Sequence, residues 1–323
     1  MASFGLFSGE GPVRMLRAKT PVSRRKISGA ALIMVLWLVA ALSLVAAAGA
    51  RGVRQQTQRT ALDLERLRAE SIMDGAVQLV AQRLNAEKGQ PLGYRVQRMT
   101  LGPSEVWVEV TPSSGLVDVN VASEGLLQAL FQRAGPMSAG EAAILTSRVQ
   151  DYIDPDDTPS GIGGAEAAQY RAAGWPSLPR NAALEDRSEL MSVLGMTSEL
   201  YAIIAPHLGI NGQQRIAVDS APPALIDVLT GQQGLGARLR NSPPEMRAGV
   251  LLSGAAAEYF SQTPSSGSPT LRFRAFVRME GDRWWLREVW IDLSERPDSL
   301  TPWTTLSIEP TRRFQKPEQE IIP

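Results

Sequence analysis

The sequence predicts an α+β protein in which a long N-terminal helix packs on an antiparallel sheet, with a large all-helical insertion in that sheet. Three observations lead to this fold class. The apolar run of residues 30–50 continues into apolar residues at helical spacing up to residue 84, and no proline lies between Pro21 and Pro91. Apolar and polar residues alternate in 94–110 and again in 270–293, which is typical of strands. Between these two regions the spacing is helical.

Composition excludes several classes of function. The 323 residues include no cysteine and one histidine, His207. Disulfides and thiolate metal sites are therefore excluded, and most zinc sites and serine triads lack their usual histidine. Residues 1–29 carry six basic side chains and one acidic side chain, so the remainder of this formally neutral chain is acidic. An acidic body argues against nonspecific binding to nucleic acid.

The apolar run from Ala30 to Ala50 bears on the compartment. It holds 21 residues without a charge, and a helix needs about 20 such residues to cross a bilayer. A cleaved export signal usually has an apolar core of about 7–15 residues, so the length favours a retained span, although Ala48-Gly49-Ala50 also resembles a signal-peptidase site. The basic cluster at residues 24–26 predicts a single-pass span with a cytoplasmic N-terminus.

A glycine, Gly29, separates the basic leader from the apolar run. Leader, glycine, apolar run and amphipathic continuation together resemble the N-terminal signal of type IV pilins and type II secretion pseudopilins. The resemblance implies cleavage between Gly29 and Ala30 by a prepilin peptidase, methylation of the new terminus, and a helix that remains as the packing stem of a filament. The fifth mature position, usually glutamate in this group, is Met34 here, and a thioether cannot pair with a neighbouring N-terminal amine. This departure points to the minor pseudopilin family called general secretion pathway protein K, whose stem contacts are expected at Met34, Trp37 and Leu38.

The expected domains follow the changes in periodicity. They are a leader (1–29), the transmembrane and periplasmic parts of the stem helix (30–50 and 51–88), the first strands of the sheet (92–119), the helical insertion (120–250), the C-terminal strands (265–310) and a tail (311–323). Within this scheme "LVDVN" (116–120) is expected to add an edge strand, and a turn at residues 280–282 joins the C-terminal strands. The polar, proline-interrupted tail is expected to fray.

The insertion contains a weak internal repeat. "VNVASEGLLQAL" (119–130) aligns without gaps to "VDSAPPALIDVL" (218–229), and a polar cap followed by an apolar helix face accounts for both copies. The first copy also resembles helix-hairpin-helix repeats of DNA-uptake proteins, which hold phosphate on a Gly-x-Gly hairpin. The first copy lacks that glycine pair, and the second has "TGQQGLGARLR" with Arg238 and Arg240 nearby. A membrane-tethered periplasmic DNA receptor is therefore the alternative hypothesis.

An acidic loop, "RVQDYIDPDDTPSGIGGAEAAQY" (148–170), carries the most suggestive chemistry. Asp154, Asp156 and Asp157 are clustered, and Glu166 follows a glycine-rich turn. Clustered carboxylates on a loop suit calcium, which takes about 6–8 oxygen ligands. The same residues also suit a proline-terminated helix end with solvated aspartates, and the spacing is not that of an EF-hand. The residues alone leave both interpretations open.

The resemblance to the protein K family extends into this region. "DYIDPDD", "GAE", "NAAL", "SEL" and "GMT" (151–197) are similar to the helical domain of that family, which implies a structural calcium ion held by Asp154, Asp156, Asp157 and Glu166. The resemblance covers roughly residues 22–210. It implies a non-enzymatic minor pseudopilin at the tip of the periplasmic pseudopilus, with minor pseudopilins of the I and J types, the prepilin peptidase and the inner membrane as partners, and no nucleic acid.

Two further features have ordinary structural interpretations. Trp284, Trp285, Trp290 and Trp303 suit a partner surface, but such residues more often cover a sheet against a helix. His207 follows a proline and is expected at a helix end. An exported hydrolase that uses the aspartate cluster is a third hypothesis, but the sequence shows no nucleophile or base beyond those carboxylates.

Overall fold

The computed structural model describes residues 28–87, 92–262, 270–294 and 302–314, and at residues 28–29 and 49–55 it describes the backbone alone. Most of the expected leader and residues 315–323 of the expected tail therefore lie outside the described residues. The chain divides into two compact units, residues 1–61 and residues 62–323.

The helices of the described residues are α1 (Ser28–Ala86), α2 (Glu124–Arg133), α3 (Ala139–Ile153), α4 (Ala167–Ala172), α5 (Ser198–Ile204), α6 (Pro223–Thr230), α7 (Leu235–Arg240) and α8 (Pro244–Ser253). The strands are β1 (Arg95–Leu101), β2 (Ser104–Pro112), β3 (Val117–Asp118), β4 (Leu208–Gly209), β5 (Ile216–Ala217), β6 (Phe260–Ser261), β7 (Thr270–Met279), β8 (Arg283–Asp292), β9 (Thr304–Ile308) and β10 (Arg312–Phe314).

In the first unit, α1 presents apolar side chains on every side. Ala30–Ala48 has a mean hydropathy of 2.6, and none of this stretch is buried by the rest of the chain. A helix that is apolar all round and uncovered by protein suits a lipid environment. By length and composition this is one helix that can cross a membrane.

In the second unit, α1 is amphipathic and one face is buried. Its buried residues recur at intervals of three and four: Ala69, Met73, Ala76, Val77, Val80, Ala81 and Leu84. They pack against the inner face of the sheet, where Val108 of β2, Phe273 of β7 and Val289 of β8 belong to the same apolar cluster. The change from an all-apolar to a one-sided helix lies within one uninterrupted element, as the sequence predicts.

The main sheet is antiparallel in the order β1-β2-β7-β8-β10, with β9 also paired to β8. β2 pairs with β7, so strands from before and after the insertion lie side by side. The hairpin turns use left-handed backbone at Gly102 between β1 and β2 and at Gly281 and Asp282 between β7 and β8. A glycine or an aspartate adopts this conformation at low cost. The predicted fold class is confirmed.

Ion pairs hold α1 in register on β8. Arg283 Nε donates to Glu65 Oε1 at 2.8 Å, and Trp285 Nε1 donates to the same oxygen at 3.0 Å. Four residues further along β8, Arg287 donates from Nε and Nη2 to the two oxygens of Asp74, at 2.8 and 3.1 Å. These residues lie on the sheet face that α1 covers, because alternate residues of a strand point to the same side.

The insertion between β2 and β7 has its own apolar core. The largest buried side chains of that core include Phe131 of α2, Tyr170 of α4 and Phe260 of β6. α2 and α3 form one helical hairpin and α6 and α7 form a second, and each hairpin begins with one copy of the internal repeat. The insertion also contains two short parallel strand pairs, β3 with β4 and β5 with β6, so it is mainly rather than wholly helical.

Two local expectations differ from the structure. "LVDVN" does not add a strand to the main sheet, because the chain turns away at Gly115 and its strand residues pair with β4. A Cβ at Gly115 would lie 1.9 Å from the carbonyl oxygen of Ser220, so this turn packs directly on the insertion. The expected tail is also not frayed from its start, since Arg312–Phe314 forms β10 and pairs with β8.

Candidate metal centre

The acidic loop begins where α3 stops. Asp154 is the C-cap residue of α3 with an extended backbone (φ −77°, ψ 158°), which is the conformation favoured before Pro155. Its Oδ1 is buried and has no hydrogen-bond partner among the described residues. Burial, and then the charges of Asp156 and Asp151, raise the pKa of the Asp154 carboxyl.

Three carboxylates converge in this loop. Asp154, Asp156 and Glu166 each place one oxygen within 4.8 Å of the other two. Asp156 is exposed, Asp154 is half-buried and Glu166 is buried. Like charges at this distance repel each other unless a proton or a cation lies between them.

Glu166 is the least satisfied member of the group. It is 3% exposed, and neither carboxylate oxygen has a hydrogen-bond partner among the described residues. It is the N-cap residue of α4, and its backbone N–H donates to Gln169 Oε1 at 3.0 Å. Burial, followed by the charges of Asp151 and Asp154, raises the pKa of Glu166 to about 7. A buried carboxylate without a donor is costly, and a divalent cation removes that cost.

Asp151, which the sequence did not single out, shapes the loop. It is buried on α3 and accepts hydrogen bonds from the N–H groups of Ser160, at 2.9 Å, and Ala165, at 2.6 Å. These bonds bring the end of the loop back to α3, directly before Glu166. Gly164 is required here because a Cβ would lie 2.2 Å from the Ser160 carbonyl oxygen and 2.4 Å from Asp151 Oδ2.

Asp157 lies outside the converging group. Its Oδ1 accepts a hydrogen bond from Asn181 Nδ2 at 3.2 Å, and the same amide also donates to the carbonyl oxygen of Asp156. Asn181 has a left-handed backbone (φ 51°) and donates its own N–H to the Tyr152 carbonyl oxygen. Of the four carboxylates predicted as ligands, the structure therefore brings three together and joins the fourth to a neighbouring segment.

The acidic loop lies within the range that matches a known family. Residues 110–211 match the family model for type II secretion system (T2SS), protein K. This range begins in β2, includes the whole acidic loop and ends just after β4. This part of the chain is therefore similar to the type II secretion system protein K family, and the resemblance found in the sequence is confirmed.

Relatives with this family description were found in two bacteria. Type II secretion system protein K of Klebsiella pneumoniae is 26% identical over 204 residues, which cover 56% of this chain and 61% of the relative. The protein of the same description from Pectobacterium carotovorum subsp. carotovorum is 26% identical over 209 residues, covering 57% of this chain and 63% of the relative. The chain thus spans less than two thirds of the length of either relative.

The fold is shared with a solved structure. A chain of the GspK-GspI-GspJ complex from the type 2 secretion system of enterotoxigenic Escherichia coli superposes with a TM-score of 0.52. The match covers 80% of this chain and 99% of that chain at 16% sequence identity. It therefore includes most of the sheet and insertion described above.

The hairpins of the insertion do not offer the phosphate cradle that the alternative hypothesis requires. In the second hairpin the N–H groups of Gly234 and Gly236 donate to the Asp227 carboxylate at 2.5 and 2.6 Å, so an internal anion already occupies the cradle. Arg240 points inward, where it donates to carbonyl oxygens including that of Asp219. The N-terminus of α3 is closed by Glu141, which accepts the N–H of Ser138 at 2.9 Å. The DNA-receptor interpretation is not supported.

The C-terminal tryptophans form part of the sheet packing. Trp285 lies under α1, and Trp290 Nε1 donates to Glu288 Oε1 at 3.1 Å. Trp284 stacks at a tilt on Trp107, with ring centroids 5.2 Å apart, and Trp303 packs against the α1-sheet core. The structural interpretation of these residues therefore holds for each of them.

The remaining predicted residues lie away from the acidic loop. His207 ends a short 3-10 turn beside the sheet, where burial and the charges of Arg272 and Arg274 lower its pKa to about 4. Met34 and Trp37 are each 73% exposed and Leu38 is 61% exposed on the apolar part of α1. Gly29 and Ala30 lie in the first turn of α1.

Proposed function

We propose that the chain is a minor pseudopilin of a type II secretion system, which forms the tip and initiation complex of the periplasmic pseudopilus. The observation that carries the proposal is a combination of features in one chain that is similar to protein K. The chain has a 19-residue exposed apolar helix and an antiparallel sheet that holds a bulky insertion. The relative of the same fold is part of a GspK-GspI-GspJ complex, which supports minor pseudopilins of the I and J types as partners.

The N-terminal part of α1 supplies the membrane anchor in this proposal. The chain enters the inner membrane with its N-terminus in the cytoplasm and its sheet and insertion in the periplasm. A prepilin peptidase then cleaves between Gly29 and Ala30 and methylates the new terminus. The exposed face that includes Met34, Trp37 and Leu38 packs against neighbouring stems, since close packing is what lipid-embedded helices gain from association.

A position at the tip follows from the size of the insertion and from Met34. A subunit inside the filament must accept others above and below, and the insertion between β2 and β7 obstructs one of these sides. A tip subunit has no neighbour above it whose N-terminal amine needs a carboxylate. Met34 therefore costs nothing there and avoids an unpaired charge in lipid.

We also propose that the acidic loop holds a structural calcium ion. Asp154, Asp156 and Glu166 supply converging oxygens, and the unpartnered oxygens of Glu166 fit a cation because no described group satisfies them. Asp157 is a ligand in this proposal only if it leaves Asn181. The ion would neutralise the cluster and stabilise the insertion through mass action on the folded state. The role is structural, and no catalytic step is assigned to these carboxylates.

Quantitative mass spectrometry tests the tip assignment. The full chain is expressed with an affinity tag in its native membrane, cross-linked and purified, and the copies of each pseudopilin are counted. We expect I-type and J-type pseudopilins in about equal amounts to this chain and one copy of the chain per filament. Many copies spaced along the filament would contradict the tip position. The matched control is Gly29→Val, which should leave membrane insertion intact but retain the leader and lose the cross-links.

A further inference from the structure

The outer face of the sheet, opposite α1, carries charged residues where the insertion covers it. Arg187, from the 3-10 turn before α5, forms an ion pair with Glu288 of β8 and donates to the carbonyl oxygen of Ala205. Arg272 of β7 donates to the carbonyl oxygen of Pro206. These contacts define a polar seam between the insertion and the sheet.

The seam contains more buried positive than negative charge. The side chains of Arg187, Arg272 and Arg274 are 12%, 1% and 14% exposed, and those of Glu109 and Glu288 are 3% and 9% exposed. Three guanidinium groups thus share two buried carboxylates, and Arg187 also forms an ion pair with the exposed Glu309. Glu109 is divided between Arg272, at 3.6 Å, and Arg274, which donates a long hydrogen bond to it at 3.4 Å.

The electrostatics of Arg272 agree with this imbalance. Its Nε is buried and has no hydrogen-bond partner among the described residues. Burial lowers the pKa of Arg272 to about 10, and the charges of Arg274 and Arg187 act in the same direction against those of Glu288 and Glu109. One more anion at the seam would compensate the excess positive charge.

A cavity of about 360 Å³ opens at the seam. Its polar lining includes Arg187, Arg274, Arg312, Tyr201, Glu288 and Glu309. Both glutamates face Arg187, Glu309 at 3.4 Å. Arg312 is exposed on β10 and forms no ion pair with any described residue; its guanidinium lies 5.9 Å from the Phe314 ring centroid. Arg274 and Arg312 therefore have donor capacity that the chain does not use.

We propose that this seam cavity binds a carboxylate, with Arg312 at its mouth and Arg274 on its wall as the groups that recognise it. A guanidinium presents a planar fork of N–H donors that matches a carboxylate, and Glu288 already binds Arg187 at the same seam. The volume accommodates a small organic acid or the side chain of an acidic residue from a protein partner. Binding stabilises the contact between the insertion and the sheet, because residues from both line the cavity.

The test uses the purified full chain in detergent at constant calcium and constant ionic strength. Succinate is titrated against sodium chloride, and thermal unfolding is followed by tryptophan fluorescence. Succinate at about five times its Kd is expected to raise the Tm by about 2–4 °C. Arg312→Gln is expected to raise the succinate concentration needed for the same rise in Tm by roughly tenfold, because one charge-assisted hydrogen bond is lost. Because Arg312 is exposed, the variant should fold normally.

Arg313→Gln is the matched control. Arg313 is the next residue of β10, is also exposed, and lies on the α1 side of the sheet, where its charge acts on Glu65. It should respond to succinate as the unmodified chain does. An equal response in Arg312→Gln, or an equal shift with sodium chloride, would overturn the proposal.

A second titration, with N-acetylglutamate amide, separates the two sources of the carboxylate. A response to this compound at lower concentration than to succinate identifies an acidic side chain of a partner, and the reverse order identifies a free dicarboxylate. Absence of a response to either compound overturns the proposal.

Discussion

Replacement of Glu166 by glutamine gives the most direct test of the acidic loop. The substitution keeps the shape of the side chain and removes its charge. A pKa of about 7 in place of 4.5 means that the folded state favours the protonated carboxyl. The stabilisation from that protonated form is complete below pH 4.5 and is lost as the pH rises through about 7. At pH values above this range, without a cation, the buried charge destabilises the folded state.

The magnitude follows from the change in pKa. Raising the pKa from 4.5 to about 7 corresponds to about 3 kcal/mol, at about 1.4 kcal/mol per pH unit. In chelator at pH 8, Glu166→Gln should therefore be more stable than the unmodified chain by up to about 3 kcal/mol. With calcium at about 100 times its Kd, the unmodified chain gains about 2.7 kcal/mol. The variant should lose most of that gain because it lacks one charged ligand.

The expected result is a difference in stability that is large in chelator and small in calcium. The variant should melt above the unmodified chain in chelator and gain less from calcium, in scans of the full chain in detergent followed by tryptophan fluorescence. Asp157→Asn is the matched control, since Asp157 lies in the same loop but is joined to Asn181. It should keep most of the calcium response. Equal midpoints for Glu166→Gln and the unmodified chain in both conditions would refute this account, and an equal loss in Asp157→Asn would place Asp157 among the ligands.

Three further predictions concern the anchor, the loop and the stem. N-terminal sequencing of membrane-extracted protein should begin at Ala30; a soluble protein that begins at residue 51 would indicate an ordinary export signal. Gly164→Ala should lower the free energy of unfolding by about 2–4 kcal/mol in urea titrations, because the new Cβ overlaps two oxygens. Gly140→Ala, where a Cβ meets nothing within 4 Å, should not destabilise the protein. Arg287→Met should lower the free energy of unfolding by about 2–3 kcal/mol in the same titrations, because it leaves partly buried carboxylates unpaired. Arg278 is exposed, so Arg278→Met should change that free energy by less than about 0.5 kcal/mol.

The periodicity of apolar residues was sufficient to predict the long elements that bury one face. The stem helix and the β7-β8 hairpin have many residues that repeat the same pattern, so single exceptions do not obscure it. The strand at β3 was predicted but its pairing was wrong, and β10 was missed. Two or three residues carry no period, and their pairing depends on the tertiary position of Gly115 and β8. Short strands of this kind are specified by packing rather than by local propensity.

The acidic loop shows a similar division between composition and geometry. The clustering of Asp154 and Asp156 is visible in the sequence because the residues are adjacent. The burial of Glu166 is not visible, because it depends on the return of the chain to Asp151, a residue that looks like any polar position of α3. The hydrogen bond of Asp157 to Asn181 also joins segments that are distant in sequence. The sequence therefore predicted which acidic residues belong to the loop. It did not predict which three of them converge.

The ion pairs between α1 and β8 have a mechanical consequence. Arg283 and Arg287 are four residues apart on a strand, and their carboxylate partners Glu65 and Asp74 are nine residues apart on the helix. A displacement of the helix by one turn, about 5.4 Å, would separate both pairs at the same moment. A pull along the helix axis therefore loads the two pairs in parallel, as shear, instead of breaking them one after the other. The part of α1 that carries Glu65 and Asp74 therefore resists sliding along β8 through both ion pairs together.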